Sequence, residues 1–298
     1  MIEAGVFGGM PSARFFGERM NAAIDIGSNS IRLLTSDGVK RSVITKLADG
    51  IDATGKLSPD GVKATLDALV EFAALCRDCK NVFAFATEAV RRAEDGDSFC
   101  AAVKLRTGLT VRVLSGRDEA ALALRGAKKP DGAITVCDLG GGSMEIVSAA
   151  DGKTPEYAQS LPLGVVVLKN KYNGDYRRAI DDAPTLIAGF GEVPAYPLSV
   201  MGGSACAIAA GILDLKVYDA NRINGAYITA CELDDALPML LSPELATFRP
   251  VCAKRADTIP YGAIIIQALI NRVGADGFYV SDSGNLEAAL AMLDTQSK

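Results

Sequence analysis

Apolar positions recur first with a strand's period of two and then with a helix's period of about 3.6, and this succession runs twice along the chain. From Ala22 an apolar strand leads into a Gly-Ser turn, a second strand over residues 31–35, the Asp37-Gly38 turn and a third strand near residues 39–45. Asp-Gly between β-rich runs is a hairpin signal. LSPDGVKATLDALVEFAALC then reads as a helix. Ser58 suits its N-cap, Pro59 suits its first turn, and Val62, Leu66, Leu69, Val70 and Ala73 form one apolar stripe. Strand NVFAFAT, a helix starting near Glu88, strand LTVRVLS and helix RDEAALALRGA complete the first half.

After the polar linker KKPDG (residues 128–132) the order begins again. Strand AITVCDL runs into GGGS, a strand over residues 144–149, the Asp151-Gly152 turn and a third strand toward Gln159. A helix follows Pro162, and strand LSVMGGS leads into helix ACAIAAGIL. Helix TIPYGAIIIQALINRV, strand GFYVSD and helix NLEAALAML close the chain. Three hairpin-connected strands followed by alternating helices and strands, twice over, indicate an internally duplicated α/β fold. The expected boundaries are an extension over residues 1–21, a first domain over 22–127 and a second over 128–298. The last helix is free to pack back on the first domain.

Composition narrows the function. Of 298 residues, 49% are hydrophobic and 22% charged, which supplies apolar material for two cores. The longest apolar run, AIIIQALI, falls far short of the roughly 20 residues of a membrane span. The first 21 residues carry an early acid and no continuous apolar stretch, so no secretory signal is expected. A net charge of −5 argues against non-specific binding to nucleic acid or an acidic membrane, so an anionic ligand must be met by local donors. Seven scattered cysteines fit reduced thiols and a cytoplasmic location. Cys76 and Cys79 form a CxxC with no second pair, and read as incidental thiols. The absence of histidine removes Ser–His–Asp and Cys–His catalysis, so carboxylates must carry any acid–base work.

Each half opens with an acid at the end of an apolar strand, followed by a glycine-containing turn with hydroxyls. Asp25-Ile26-Gly27-Ser28-Asn29-Ser30 matches Asp138-Leu139-Gly140-Gly141-Gly142-Ser143. One copy alone reads as a hairpin with an odd acid; two copies at equivalent points do not. Three consecutive glycines cost about 2 kcal/mol in backbone entropy, and a carboxylate withdrawn from water costs several more. A turn whose N–H groups meet a phosphate, beside an acid that holds a hydrated divalent cation, accounts for both. Magnesium suits such oxygen donors.

The segments AAIDIGSNSIRLL, FATEAVRRAEDG, VLSGRDEAALALRG, CDLGGGSMEIV, SLPLGVVVL, VMGGSACAIA and KRADTIPYGAIII, in that order, resemble the Ppx/GppA phosphatase family. These are exopolyphosphatases and guanosine pentaphosphate phosphohydrolases of the actin/sugar-kinase/heat-shock-protein superfamily. The resemblance implies α/β architecture, with duplicated actin-like (ribonuclease H-like) halves and an interdomain cleft. By resemblance, Asp25 with Gly27, Ser28, Asn29 and Ser30 is the first phosphate loop, and Gly140, Gly141, Gly142 and Ser143 are the second. Asp25, Asp138 and Glu145 match the acids around the metal, magnesium or manganese, and Glu119 matches the glutamate that activates water. Read alone, SGRDEA is a helix start with Ser115 as cap and acids that suit the macrodipole. Glu145 read alone is a strand residue whose face the alternation does not decide. Arg91 aligns with the family arginine near the cleft, and Arg255 lies in a matching motif. Gly202, Gly203 and Ser204 match the turn that approaches the nucleoside in nucleotide-binding relatives. Arg32, Arg92, Lys169, Lys171, Arg177 and Arg178 are candidates for a wider polyanion path.

The chain departs from the family pattern at three points. It lacks the long helical C-terminal region of larger members, Val167 stands where many have an arginine, and Met144 replaces a frequent threonine. The resemblance implies hydrolysis of terminal phosphoanhydride bonds of polyphosphate. The rival expectations are hydrolysis of guanosine pentaphosphate, binding of polyphosphate or a guanosine penta- or tetraphosphate without turnover, and small-molecule kinase activity. A homodimer is compatible with the family; nucleic acid and membrane partners are not expected.

Overall fold

The computed structural model describes residues 20–128 and 130–296; of the extension expected over residues 1–21, residues 1–19 lie outside the described residues, and Asn21 already belongs to the first strand. The first sheet is built from β1 (Asn21–Ile26), β2 (Ser30–Thr35), β3 (Lys40–Ile44), β4 (Asn81–Ala86) and β5 (Val111–Val113). Between and after these strands run α1 (Ile51–Thr54), α2 (Pro59–Leu75), α3 (Glu88–Arg92), α4 (Gly96–Thr107) and α5 (Gly116–Gly126). The second half contains β6 (Ile134–Leu139), β7 (Met144–Ala149), β8 (Tyr157–Leu161), α6 (Val165–Tyr172), α7 (Tyr176–Ala188), β9 (Leu198–Met201) and α8 (Gly203–Ile212). It continues through α9 (Ala220–Ile223), β10 (Tyr227–Thr229), α10 (Ala230–Leu240), α11 (Leu245–Phe248) and a 3₁₀ turn over Pro250–Arg255. The chain then forms α12 (Ile259–Val273), β11 (Gly277–Ser281) and α13 (Asn285–Gln296).

The duplication is visible in the strand order. The first sheet runs β3-β2-β1-β4-β5, and the second, taken from β8, runs β8-β7-β6-β9-β11 with β10 added at the far edge. In each, the first three strands are antiparallel and the next two join in parallel. These are two actin-like α/β halves.

Both central strands are covered on two faces, as parallel pairing through helical crossovers requires. On β1, Ala22, Ile24 and Ile26 join Leu66, Leu69 and Phe72 of α2 and Phe99 and Val103 of α4. The opposite face carries Ala23, which packs with Leu122 of α5 and Leu286 and Ala289 of α13. On β6, Cys137 and Leu139 enter the large second core, whereas Ile134 and Val136 pack on Ala120, Ala123 and Leu124 of α5. Helix α5 therefore lies on the second sheet and against α13, and α13 lies on β1, β2 and β4.

Helix α2 begins at Ser58, whose Oγ accepts from the Gly61 N–H at 3.2 Å. Its buried stripe is Thr65, Leu66, Ala68, Leu69 and Phe72, while Val70 is exposed, a correction to the stripe read from sequence. Phe72, one helical turn beyond Leu69, takes the core position that Val70 does not. Ser58→Ala is expected to cost about 1 kcal/mol and to lower Tm by about 2–4 °C, read from a thermal melt.

Candidate functional site

Period-two alternation on four strands brings the site together. On the faces of β1 and β2 that look toward α5 and α13, the positions between apolar residues are Asp25 and Arg32, which are cross-strand partners. On the corresponding faces of β6 and β7 they are Asp138 and Glu145, also cross-strand partners. Helix α5, between the sheets, carries Glu119 in its first turn. Asp25, Arg32, Glu119, Asp138 and Glu145 thus meet in one layer. Alternation left the face of Glu145 open; packing of Val147 and Ala149 against α5 decides it.

The two glycine turns have the same internal geometry. Gly27 donates to the Ser30 carbonyl at 3.1 Å, and Gly140 to the Ser143 carbonyl at 3.0 Å. They also face one another: a methyl placed on Gly141 would lie 3.7 Å from Asn29 Cβ, and one on Gly142 would lie 3.8 Å from Ser28 Cβ. The carbonyls of Ser28 and Asn29 accept from Ala48 and from Thr45 and Lys46. The N–H groups of Ser28, Asn29, Gly141 and Gly142 have no backbone acceptor outside regular elements among the described residues. Behind the second turn, Val165 and Val166 at the start of α6 donate to the carbonyls of Gly140 and Gly141.

Asp25 is 3% exposed. The Arg32 Nε donates to its Oδ2 at 3.1 Å, Arg32 Nη2 pairs with the same oxygen, and Asp25 Oδ1 has no partner among the described residues. Arg91, on the short helix after β4, donates through Nη1 to the Leu114 carbonyl at 2.7 Å and to Glu119 Oε2 at 3.0 Å. Glu119 is only 9% exposed, and burial pushes its carboxyl up to about 7 against the pull of Arg91. Burial, then repulsion from Asp138, raises Glu145 to about 8, and burial also raises Asp138. Glu145 Oε1 accepts from Ser160 Oγ at 2.7 Å. A cavity of about 430 Å³ is lined by Arg91, Arg117, Glu119, Glu145, Gln159 and Ser160, among others.

Asp25, Glu119, Asp138 and Glu145 share this crevice with Arg32 and Arg91, and a cation beside these carboxyl groups would favour their ionised form and offset the charge of an entering anion. Among the described residues, no three carboxylates or thiols stand close enough as they are to enclose an ion. The donors fit a hydrated divalent ion instead, one that keeps water and phosphate oxygens in its shell. The orphaned Asp25 Oδ1 and the adjoining Asp138 and Glu145 are the oxygens available to it.

The third glycine turn sits beside the second. Gly202 adopts φ +111°, and a side chain there would meet the Leu139 carbonyl at 2.5 Å. The Arg255 guanidinium rests on Gly203, where a methyl would lie 2.3 Å from Nη2. Ser204 is buried, packed against Gly262 of α12. Met144 is fully buried in the second core, and Val167 is exposed on α6. Arg92 lies 4.0 Å from Glu88, and Lys169 pairs with Asp257. Burial pushes the Cys76 thiol up to about 12 and raises Cys79, so both are held as thiols. Glu88 and Ser160, to which no motif of the sequence assigns a role, also lie beside Glu145. Ser160 had one available signal, as the hairpin places it directly opposite Glu145.

A family model described as the Ppx/GppA phosphatase family matches residues 27–291. Exopolyphosphatase 2 of Mycobacterium tuberculosis is 29% identical, the alignment covering 89% of this chain and 96% of that protein. Exopolyphosphatase 1 of the same organism is 34% identical over 167 residues, 51% of this chain. That match spans about half the relative's length, 48%. The crystal structure of the Aquifex aeolicus Ppx/GppA family member superposes with a TM-score of 0.80 at 28% identity, covering 94% of this chain and 99% of that one.

Proposed function

The chain belongs to the Ppx/GppA phosphatase family, and from that premise we propose that it is an exopolyphosphatase that releases terminal orthophosphate from inorganic polyphosphate. The observation that carries this reading is Glu119, buried, held by Arg91, and facing the same layer as the two opposed glycine turns. The N–H groups of Ser28, Asn29, Gly141 and Gly142, with Ser30 and Ser143 beside them, suit the oxygens of the terminal phosphoryl group. Water attacks that phosphorus in line; a P–O bond forms to water and the bridging P–O bond breaks, its electron pair leaving on the shortened chain. Glu119 takes the water's proton, and Arg91 orients Glu119 for that transfer. A magnesium or manganese ion, held by Asp138 and Glu145 with Asp25 adjoining, would offset charge on the phosphoryl oxygens.

Gly202 and Gly203 support a second reading, hydrolysis of guanosine pentaphosphate. A nucleoside approaching that turn would first have to displace Arg255 from Gly203. Phosphate release from long and short polyphosphate, with and without Mg²⁺, is to be measured beside conversion of guanosine pentaphosphate to the tetraphosphate. Release from polyphosphate that needs the metal is expected. Release from the nucleotide alone would select the second reading, and none from either would leave a binding protein. No helix among the described residues is long and apolar enough to cross a membrane.

The raised carboxyl of Glu119 sets a pH dependence. A base near 7 is ionised above that value, so log kcat is expected to climb with pH and level off above about 7. Stability of the metal-free protein should run the other way. Glu119 and Glu145, at about 7 and about 8, bind protons more tightly folded than unfolded. Between the ordinary glutamate value and about 8 the folded state holds more protons, so unfolding becomes easier as pH rises. Thermal melts at pH 5 and pH 8 in chelator check the sign; the pH 5 sample should melt higher.

A further inference from the structure

Helix α3 reaches two acids of the site from one short segment. Arg91 holds Glu119, and three residues earlier Glu88 Oε2 lies 3.2 Å from Ser160 Oγ. Ser160 belongs to the other half, on β8, and its Oγ lies 2.7 Å from Glu145 Oε1. Glu145 and Ser160 are direct cross-strand partners, so the serine's backbone is held in register with Glu145 by the strand pairing. β8 is the edge strand of the second sheet, with β7 as its sole sheet neighbour among the described strands. Glu119 and Glu145 line the same cavity, and the links that fix them both run back to α3.

On the reading that Glu119 activates water beside Glu145, we infer that Ser160 and Glu88 form a clasp across the cleft which sets the placement of Glu145 opposite Glu119. They act as positioning residues and neither touches the reacting atoms. A hydroxyl carries one proton and donates to one carboxylate at a time. The shorter contact makes Glu145 the main acceptor, and Ser160 gives its proton to Glu88 only part of the time. The link to Glu88 is therefore weaker than a hydrogen bond with a proton of its own. An amide at position 88 would strengthen it, because its NH₂ donates to Ser160 while Ser160 still donates to Glu145.

Steady-state kinetics and amide hydrogen exchange on Glu88→Ala, Glu88→Gln and Ser160→Ala test the clasp. Misplacement of an acid by a fraction of an ångström gives an expected kcat loss of about tenfold in Glu88→Ala and Ser160→Ala, with KM within about twofold. Exchange over residues 157–161 should quicken in both, whereas Glu88→Gln should keep the kcat of the wild type, with exchange no faster than the wild type's. A Glu88→Gln variant as slow as Glu88→Ala would assign Glu88 a charge-dependent role and overturn the clasp. Unchanged exchange in Glu88→Ala would overturn it as well. Should the wild type release no phosphate from any substrate, the proposed reaction fails, and exchange still decides whether the contact spans the halves.

Discussion

Glu119→Gln is expected to slow phosphate release by about 10²–10⁴-fold while polyphosphate binding stays close to that of the wild type. The substitution keeps shape and leaves an amide oxygen for Arg91, so the hydrogen bond at 3.0 Å survives in weaker form. What it removes is the capacity to accept a proton. The buried setting favours the neutral side chain, since burial already pushes the glutamate toward its protonated form. The variant should melt no lower than the wild type at pH 8, which separates loss of chemistry from loss of fold. Single-turnover release together with equilibrium binding of polyphosphate measures the two parts. A rate within twofold of wild type would remove Glu119 from the mechanism.

Gly164→Ala should displace the second glycine turn, which is proposed to bind phosphate. Gly164 has ordinary extended dihedrals, φ −89° and ψ 161°, which any residue adopts. The constraint is close approach: a Cβ there would lie 2.1 Å from the Gly141 carbonyl oxygen, 2.2 Å from its carbon and 2.4 Å from Gly142 N. All three atoms are backbone, and the hydrogen bonds from Val165 and Val166 to Gly140 and Gly141 tie that backbone to α6. No rotamer relieves the contact. Overpacking of this kind costs about 1–3 kcal/mol, and Tm is expected to fall by about 5 °C, with a marked rise in KM as the turn shifts. Gly116→Ala, which meets nothing within 4 Å, is the control for stability and should melt like the wild type. Equal melting of both variants would show that the turn yields without strain.

Much of the fold was legible because its signals are local. Ser58 caps α2 and Ser115 caps α5, as a hydroxyl before an apolar run implies. The hairpin turns lie where Asp-Gly pairs occur, and strand β7 spans the residues expected of it. Helix α7 left little trace, since its buried stripe is Ala179, Ala183 and Ile187, two of them too small to mark a periodicity. The three-residue strand β10 is shorter than a period-two pattern needs. In the site, both acid-and-glycine turns could be read within six residues each. Arg32 was legible only as one basic residue among several, although it lies opposite Asp25 across a hairpin.

By itself, the sequence determined the duplication, the two acid-and-glycine turns, and the acids available for chemistry, because turn propensity and strand alternation act over a few residues. Which acids meet was decided by tertiary structure. Helix α5 had to lie between the sheets for Glu119 to face Asp25, Asp138 and Glu145, and that placement comes from apolar contacts between distant segments, Leu122 on one side and Ala120, Ala123 and Leu124 on the other. The hold of Arg91 on Glu119 and the meeting of Glu88 with Ser160 span 28 and 72 residues. Such pairs carry no local signature, because each residue's own neighbours in sequence satisfy a helix or strand without reference to its partner.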